Sequence, residues 1–104
     1  MVQEKINTKQ DLLVALAKNS EAIKSYGVNS LGLFGSFVKE KNNDKSDIDL
    51  LVDFAPDKKS FDNFMGLSFF LEDLFGRKVE IVTPQSLSKF IGPHILKEVQ
   101  HVSI

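Results

Sequence analysis

Two aspartates stand at the start of a segment that is otherwise suited to a protein core. Asp47 and Asp49 flank Ile48 and precede the apolar run 50–52. Side chains alternate along a strand, so both carboxylates share one face, and a buried carboxylate without compensation is strongly disfavoured. Mg²⁺ prefers oxygen ligands, so the pair predicts a site for a hard divalent cation. The alternative is that Asp47 caps the strand and Asp49 faces water at an edge.

A third acid lies in the segment 77–83, RKVEIVT. Alternation places Val79 and Ile81 on one face of that strand, and Glu80 and Val82 on the other. If this strand lies beside the one that contains Asp49, Glu80 can join the two aspartates as a third metal ligand. An acid in a short strand can also be an edge residue that faces water.

Gly35 and Ser36 end the apolar run 31–34 and start a polar stretch. Glycine lets the backbone bend sharply and lets a ligand approach closely, and the start of a helix favours phosphate. Lys39 could reach the same phosphate. The alternatives are a strand-to-helix turn that binds nothing and a lysine that is merely solvated.

Hydrophobic spacing, caps and turn residues predict the elements around these groups. They are a helix from Thr8 to a stop at Gly27, strands over 30–34, 47–54 and 77–83, a helix from Ser60 to Phe75, a short helix over 85–90, and a last helix from Pro93 with Val102 on its apolar face. This order predicts one α/β or α+β domain over residues 1–104.

Composition restricts the class of protein. The chain has 104 residues, 42% hydrophobic residues, a formal net charge of −1 and no cysteine. The charge argues against direct binding of nucleic acid, which normally requires a basic surface. Disulfides and thiolate metal sites are excluded. The sequence shows neither a signal peptide nor an apolar segment that could span a membrane, so we expect a cytoplasmic protein without a membrane partner.

The combined pattern resembles the G-S-x10-D-x-D signature of nucleotidyltransferases with the catalytic fold of DNA polymerase β. Gly35-Ser36 are followed, after ten residues, by Asp47-Ile48-Asp49. SDIDLLVDF, RKVEIVTP and the closing Pro-x-Ile-Leu-Lys-Glu are similar to minimal nucleotidyltransferases, the antitoxins of HEPN–MNT toxin–antitoxin pairs. The resemblance implies a small mixed β-sheet flanked by helices, and transfer of AMP from ATP to a hydroxyl, usually a tyrosine, of a HEPN toxin.

The resemblance also implies roles for individual residues. Asp47, Asp49 and Glu80 correspond to the catalytic acids that bind two Mg²⁺ ions, and Gly35 and Ser36 to the pair that cradles the triphosphate. Lys39 stands where the group tends to have arginine, which would bind phosphate with two parallel hydrogen bonds. Glu80 stands where the group more often has aspartate.

A second hypothesis is a weakly active or inactive nucleotide-binding module that neutralises its partner by direct binding. The departures at Lys39, Glu40 and Glu80 favour it, as do the surplus aromatic residues of the helix 61–75. Such residues could form a partner-binding face. The acceptor, the preferred base and the oligomeric state are left open.

Overall fold

The computed structural model describes residues 5–43, 45–90 and 92–104. Their regular elements, in chain order, are α1 (Lys9–Lys18), α2 (Ser20–Ser25), β1 (Val28–Phe34), a 3₁₀ turn (Gly35–Phe37), β2 (Ile48–Phe54), α3 (Phe61–Phe75), β3 (Val79–Val82), a second 3₁₀ turn (Pro84–Ser86), α4 (Gly92–Glu98) and β4 (Gln100–Val102). The predicted class, a small mixed sheet flanked by helices, is confirmed.

The four strands form one sheet in the order β3-β2-β1-β4. β1 pairs antiparallel with both β2 and β4, whereas β2 and β3 are parallel. A parallel pair needs a long crossover connection, and α3 supplies it. The register places Asp49 of β2 between Phe34 of β1 and Glu80 of β3.

One face of the sheet forms the hydrophobic core with the first three helices. In β2, Ile48, Leu50 and Val52 are fully buried, while the residues between them are half-buried. The helices contribute Leu12, Leu16, Ile23, Leu67, Leu71 and Phe75 to the same cluster. The acids of β2 and β3 therefore lie on the opposite face, which the core does not cover.

The long helix α3 begins and ends as its sequence predicts. The Ser60 hydroxyl accepts a hydrogen bond of 3.1 Å from the N–H of Asn63, which satisfies one of the donors left free at a helix start. Gly76 ends the helix at φ 65°, in the left-handed conformation that glycine adopts without strain. These two signals fix the crossover that places β3 beside β2.

The prediction of one helix from Thr8 to Gly27 is wrong, because the chain forms α1 and α2 with a break at Asn19. The Asn19 side chain donates a 2.8 Å hydrogen bond to the carbonyl of Ala15. Asparagine competes in this way with the backbone for local hydrogen bonds and favours helix ends. Gly27 does end the second helix, at φ 86°.

Two predictions near the C-terminus are also wrong. The short helix predicted over 85–90 is only the turn Pro84–Ser86, and Val102 belongs to β4 instead of the last helix. Val102 is opposite Leu31 in the register and is buried. Pairing with β1 therefore outweighs the helical spacing of this short segment. Among the described residues, no helix is both long and apolar enough to span a lipid bilayer.

Candidate functional site

Asp49 lies on the face of the sheet opposite the hydrophobic core. Its neighbours in the sheet are Phe34 on one side and Glu80 on the other. Asp49 is half-buried, whereas Glu80 is exposed. The predicted adjacency of the second and third strands is confirmed, and it brings these two acids together.

The surroundings of Asp49 disfavour its ionised form. Burial, and after it the negative charges of Glu80 and Asp47, raise the pKa of the Asp49 carboxyl from an ordinary 3.8 to about 6. A hydrogen bond between the carboxyl groups of Asp49 and Glu80 also contributes. Such a bond needs a shared proton, so a cation that replaces the proton would relieve the repulsion.

Asp47 precedes β2 by one residue and is half-buried. Its charge acts on Asp49, as the raised pKa of Asp49 indicates. All three predicted acids therefore belong to one electrostatic cluster, although Asp49 and Glu80 form the tighter pair.

The donors fit Mg²⁺ in their chemistry. Over residues 5–43, 45–90 and 92–104, no three histidine, cysteine or acidic side chains are placed so that they could hold a metal ion by themselves. Mg²⁺ is commonly bound by one or two carboxylates together with phosphate oxygens of the substrate. Asp49, with Asp47 and Glu80 beside it, supplies such a partial set, which a nucleotide could complete.

Gly35 lies directly against the carboxylate of Asp49. A Cβ at this position would overlap Oδ2 of Asp49 and lie 3.1 Å from its Cγ, and the backbone has φ +80°. Both the conformation and the space therefore require glycine here. Ser36 follows in the same turn and is half-buried, and its carbonyl accepts a 2.9 Å hydrogen bond from the N–H of Lys41. The structure thus brings the predicted phosphate turn and the acids together.

Lys39 is bound elsewhere in this structure. Its Nζ lies 3.1 Å from Oε1 of Glu98 in α4, and both side chains are about half exposed, at 48% and 41%. This ion pair joins the segment that follows the Gly35–Phe37 turn to α4. A role of Lys39 in nucleotide binding stays a prediction.

A cavity of about 320 Å³ opens beside the acids. It is lined by Phe34, Asp49, Glu80, Val82, Ser86, Leu87, Ser88 and Ile95. Its volume is at the lower end of the range for small-molecule sites, and a few polar groups among apolar walls are typical of them. A cavity of similar volume lies between the N-terminal segment, α1 and α3, but none of the predicted site residues lines it.

Sequence reasoning missed the part of this cavity that lies over the sheet. Ile95 lies on α4, and Leu87 follows the turn 84–86. A Cβ at Gly32 would overlap Cγ2 of Val99, so the residue that follows α4 approaches the sheet closely where β1 has no side chain. A glycine inside a strand is a sequence signal for close approach of another group.

Comparisons with known proteins agree with this geometry. Residues 16–102 match the family described as nucleotidyltransferase domain. The protein adenylyltransferase MntA of Thermococcus cleftensis is 36% identical over 89 residues, which are 86% of this chain and 89% of that protein. A candidate protein adenylyltransferase of Methanocaldococcus jannaschii is 30% identical over 97 residues, 91% of this chain and 94% of that protein.

Solved structures share the fold. A candidate minimal nucleotidyltransferase superposes with a TM-score of 0.81 at 24% identity, over 93% of this chain and 98% of that one. A toxin–antitoxin complex with AMP-PNP superposes with a TM-score of 0.64 at 20% identity, over 91% of this chain and 72% of that one. Sequence motif, sheet register and family match all agree, and this chain belongs to the nucleotidyltransferase domain family.

Proposed function

We propose that this chain is a Mg²⁺-dependent protein adenylyltransferase that transfers AMP from ATP to a hydroxyl of a toxin partner. The relatives named protein adenylyltransferase support the reaction, and the similarity to a chain of a toxin–antitoxin structure with AMP-PNP supports the nucleotide and the type of partner. By resemblance, the partner is a HEPN toxin and the acceptor a tyrosine.

The observation that carries the proposal is the position of Asp49. Its carboxylate lies against Gly35 on one side and is hydrogen-bonded to Glu80 on the other, with a pKa raised to about 6. A group that must bind a metal and a triphosphate needs this combination of crowded acids and a backbone without a side chain. In an ordinary strand, neither the crowded acids nor the glycine next to them would stabilise the fold.

The residues divide the reaction between them. The Gly35–Ser36 turn would orient the triphosphate, and Asp47, Asp49 and Glu80 would hold Mg²⁺, with two ions expected when nucleotide is bound. The bound metal would offset negative charge on the triphosphate and make the acceptor hydroxyl more acidic. The acceptor oxygen then forms a bond to the α-phosphorus as the bond to pyrophosphate breaks, and Glu80 takes the hydroxyl proton.

The cavity beside Glu80 suits an aromatic acceptor. Phe34, Val82 and Ile95 give it apolar walls, and the exposed Glu80 lies at its edge. A tyrosine ring placed against these walls could bring its hydroxyl to Glu80, while the triphosphate lies on the Gly35 side of Asp49.

The test uses the protein encoded by the neighbouring reading frame, purified together with this chain. Incubation with ATP labelled at the α-phosphate and Mg²⁺ should label that partner, and Asp49→Asn should abolish the label. Asp53→Asn is the matched control, because Asp53 lies in the same strand but is opposite Ser30 instead of an acid. Labelling that survives Asp49→Asn would remove this site from the mechanism.

A second candidate function is neutralisation by direct binding without transfer. Phe61 and Phe69 of α3 are 76% and 62% exposed, and exposed aromatic side chains are typical of protein interfaces. In this case the partner would still bind the double variant Asp47→Ala/Asp49→Ala, would carry no label from the unmodified chain, and would be released by Phe61→Ser/Phe69→Ser.

A further inference from the structure

A buried cation lies outside the acid cluster. Arg77 follows the glycine that ends α3 and precedes β3, and its side chain is only 7% exposed. A buried charge is unfavourable unless its hydrogen-bonding groups are satisfied. The groups that satisfy Arg77 therefore show what this residue organises.

The guanidinium donates to four oxygens in two separate parts of the chain. Nη1 donates to the carbonyls of Asn43 and Ser46, each at 2.9 Å. Nη2 donates to Oδ1 of Asn7 at 3.0 Å, and Nε donates to the carbonyl of Ile6. All four acceptors are neutral, and a planar fork of donors is needed to reach them together.

Arg77 also contacts both halves of the nucleotidyltransferase motif. Its Cζ lies 5.1 Å from the centroid of the Phe37 ring, and Phe37 is the last residue of the Gly35–Phe37 turn. The carbonyl of Ser46, on the other side of the guanidinium, belongs to the residue before Asp47. A single side chain thus connects the phosphate turn to the start of the metal-binding strand.

The described residues of the loop between the two halves have two other side-chain anchors: Asn42 donates a 2.7 Å hydrogen bond to the carbonyl of Asn7, and Lys39 pairs with Glu98. Between Lys39 and Ser46 the described side chains are exposed or half-buried. Asn43 and Ser46 form a compact turn: the N–H of Asn43 donates to the Ser46 hydroxyl at 2.8 Å, and the N–H of Ser46 donates to the Asn43 carbonyl at 3.1 Å. Arg77 binds both carbonyls of that turn and so attaches it to the body of the domain.

We infer that Arg77 is a positioning residue, which holds the Gly35–Phe37 turn and Asp47 at the relative placement that nucleotide binding requires. This role rests on the proposed function. Arg77 contacts the Phe37 ring and the Ser46 carbonyl, and it acts through these two residues. Arg77 holds the two segments through the planar, forked arrangement of its guanidinium N–H donors, which a lysine with the same charge cannot reproduce.

The first measurement is amide hydrogen exchange of the nucleotide-free chain. Arg77→Lys should lose protection at least tenfold in the segments 36–41 and 45–48, and keep it in α3. The matched control is Ile23→Val, a core change in α2 that lowers stability without touching either segment. Equal loss of protection in both variants, or no local loss in Arg77→Lys, would show that Arg77 merely adds stability and would overturn the inference.

The second measurement is binding of ATP with Mg²⁺, by titration calorimetry. We expect Arg77→Lys to bind ATP at least tenfold more weakly, and Ile23→Val to bind it within twofold of the unmodified chain. Affinity of Arg77→Lys that equals that of Ile23→Val would also overturn the inference. If Arg77→Lys does not fold, Phe37→Leu, which replaces the buried ring under the guanidinium with a smaller apolar side chain, should show the same local loss of protection and a smaller loss of affinity.

The two measurements separate this inference from the proposed function. If the unmodified chain binds no ATP, the proposed function fails. The exchange experiment, which contains no nucleotide, then still decides whether Arg77 holds the two segments together.

Discussion

Asp49→Asn should make the metal-free protein more stable at neutral pH while it abolishes AMP transfer. The folded pKa of Asp49 is raised from 3.8 to about 6, so the ionised carboxylate costs stability above that pH. Each tenfold change in an acid constant is worth about 1.4 kcal/mol, which sets a ceiling of about 3 kcal/mol. Since Asp49 is only half-buried, solvent screening reduces this to about 1 kcal/mol.

The sign follows from proton binding. Between about pH 4 and 6 the folded state holds more protons at Asp49 than the unfolded state, so stability falls as pH rises through this window. Asparagine carries no charge, so Asp49→Asn does not lose this stability as the pH rises. The gain in the free energy of unfolding of Asp49→Asn should therefore be full above about pH 7 and should shrink as the pH falls towards 4.

Urea unfolding in the presence of a chelator, at about pH 7.5 and about pH 4.5, measures this gain. Asp53→Asn is again the control and should show no comparable gain at either pH. Added Mg²⁺ should stabilise the unmodified chain more than Asp49→Asn, because the metal needs the carboxylate. An Asp49→Asn variant that is less stable than the unmodified chain at pH 7.5, or a gain that is the same at both pH values, would refute the reasoning.

Three further changes test single contacts of the site. Gly35→Ala should cost about 1–3 kcal/mol of stability, measured by urea unfolding, because the backbone at this position is strained for any other residue. It should also reduce ATP affinity at least tenfold, measured by calorimetry, because the new methyl group displaces the Asp49 carboxylate. Glu80→Gln should lower the transfer rate by about 10²–10⁴-fold, as expected for loss of a general base. Glu80→Asp keeps a carboxylate and should retain most of the transfer rate. Equal rates for the two variants would argue against proton transfer to this residue. Glu98→Gln should release Lys39 and strengthen ATP binding by up to about fivefold, which corresponds to the free energy of an exposed ion pair. The increase in affinity should be smaller at high salt. Unchanged affinity at low salt would argue against a role of Lys39 in nucleotide binding.

Much of the candidate site could be predicted because its residues break local rules. Acids in apolar strands and a glycine at the end of another strand are costly unless a ligand or a close contact requires them. Asp47, Asp49 and Gly35 stand out for this reason. The alternation of β3 also predicts that Glu80 faces away from the core, and its contact with Asp49 follows once the two strands are adjacent.

Other features could not be predicted because they depend on distant partners. Val102 fits the spacing of a helix, but β1 has a free edge next to it and the segment forms β4. Arg77 reads as an ordinary surface residue at the start of a strand, since nothing nearby in sequence indicates that Ser46 and Phe37 surround it. Ile95 and Leu87, whose sequence context gives no sign of a site, line the cavity beside the acids.

The sequence by itself determined the type of chemistry, because the identity and spacing of Asp47, Asp49 and the Gly35-Ser36 pair are local properties that one strand and one turn express. Tertiary structure alone decided where Glu80 and Arg77 act. Burial of apolar surface over the whole domain sets the strand order, the parallel pairing of β2 with β3 and the packing of α4. No short stretch of the sequence can indicate this total burial. The raised pKa of Asp49 is a consequence of that assembly.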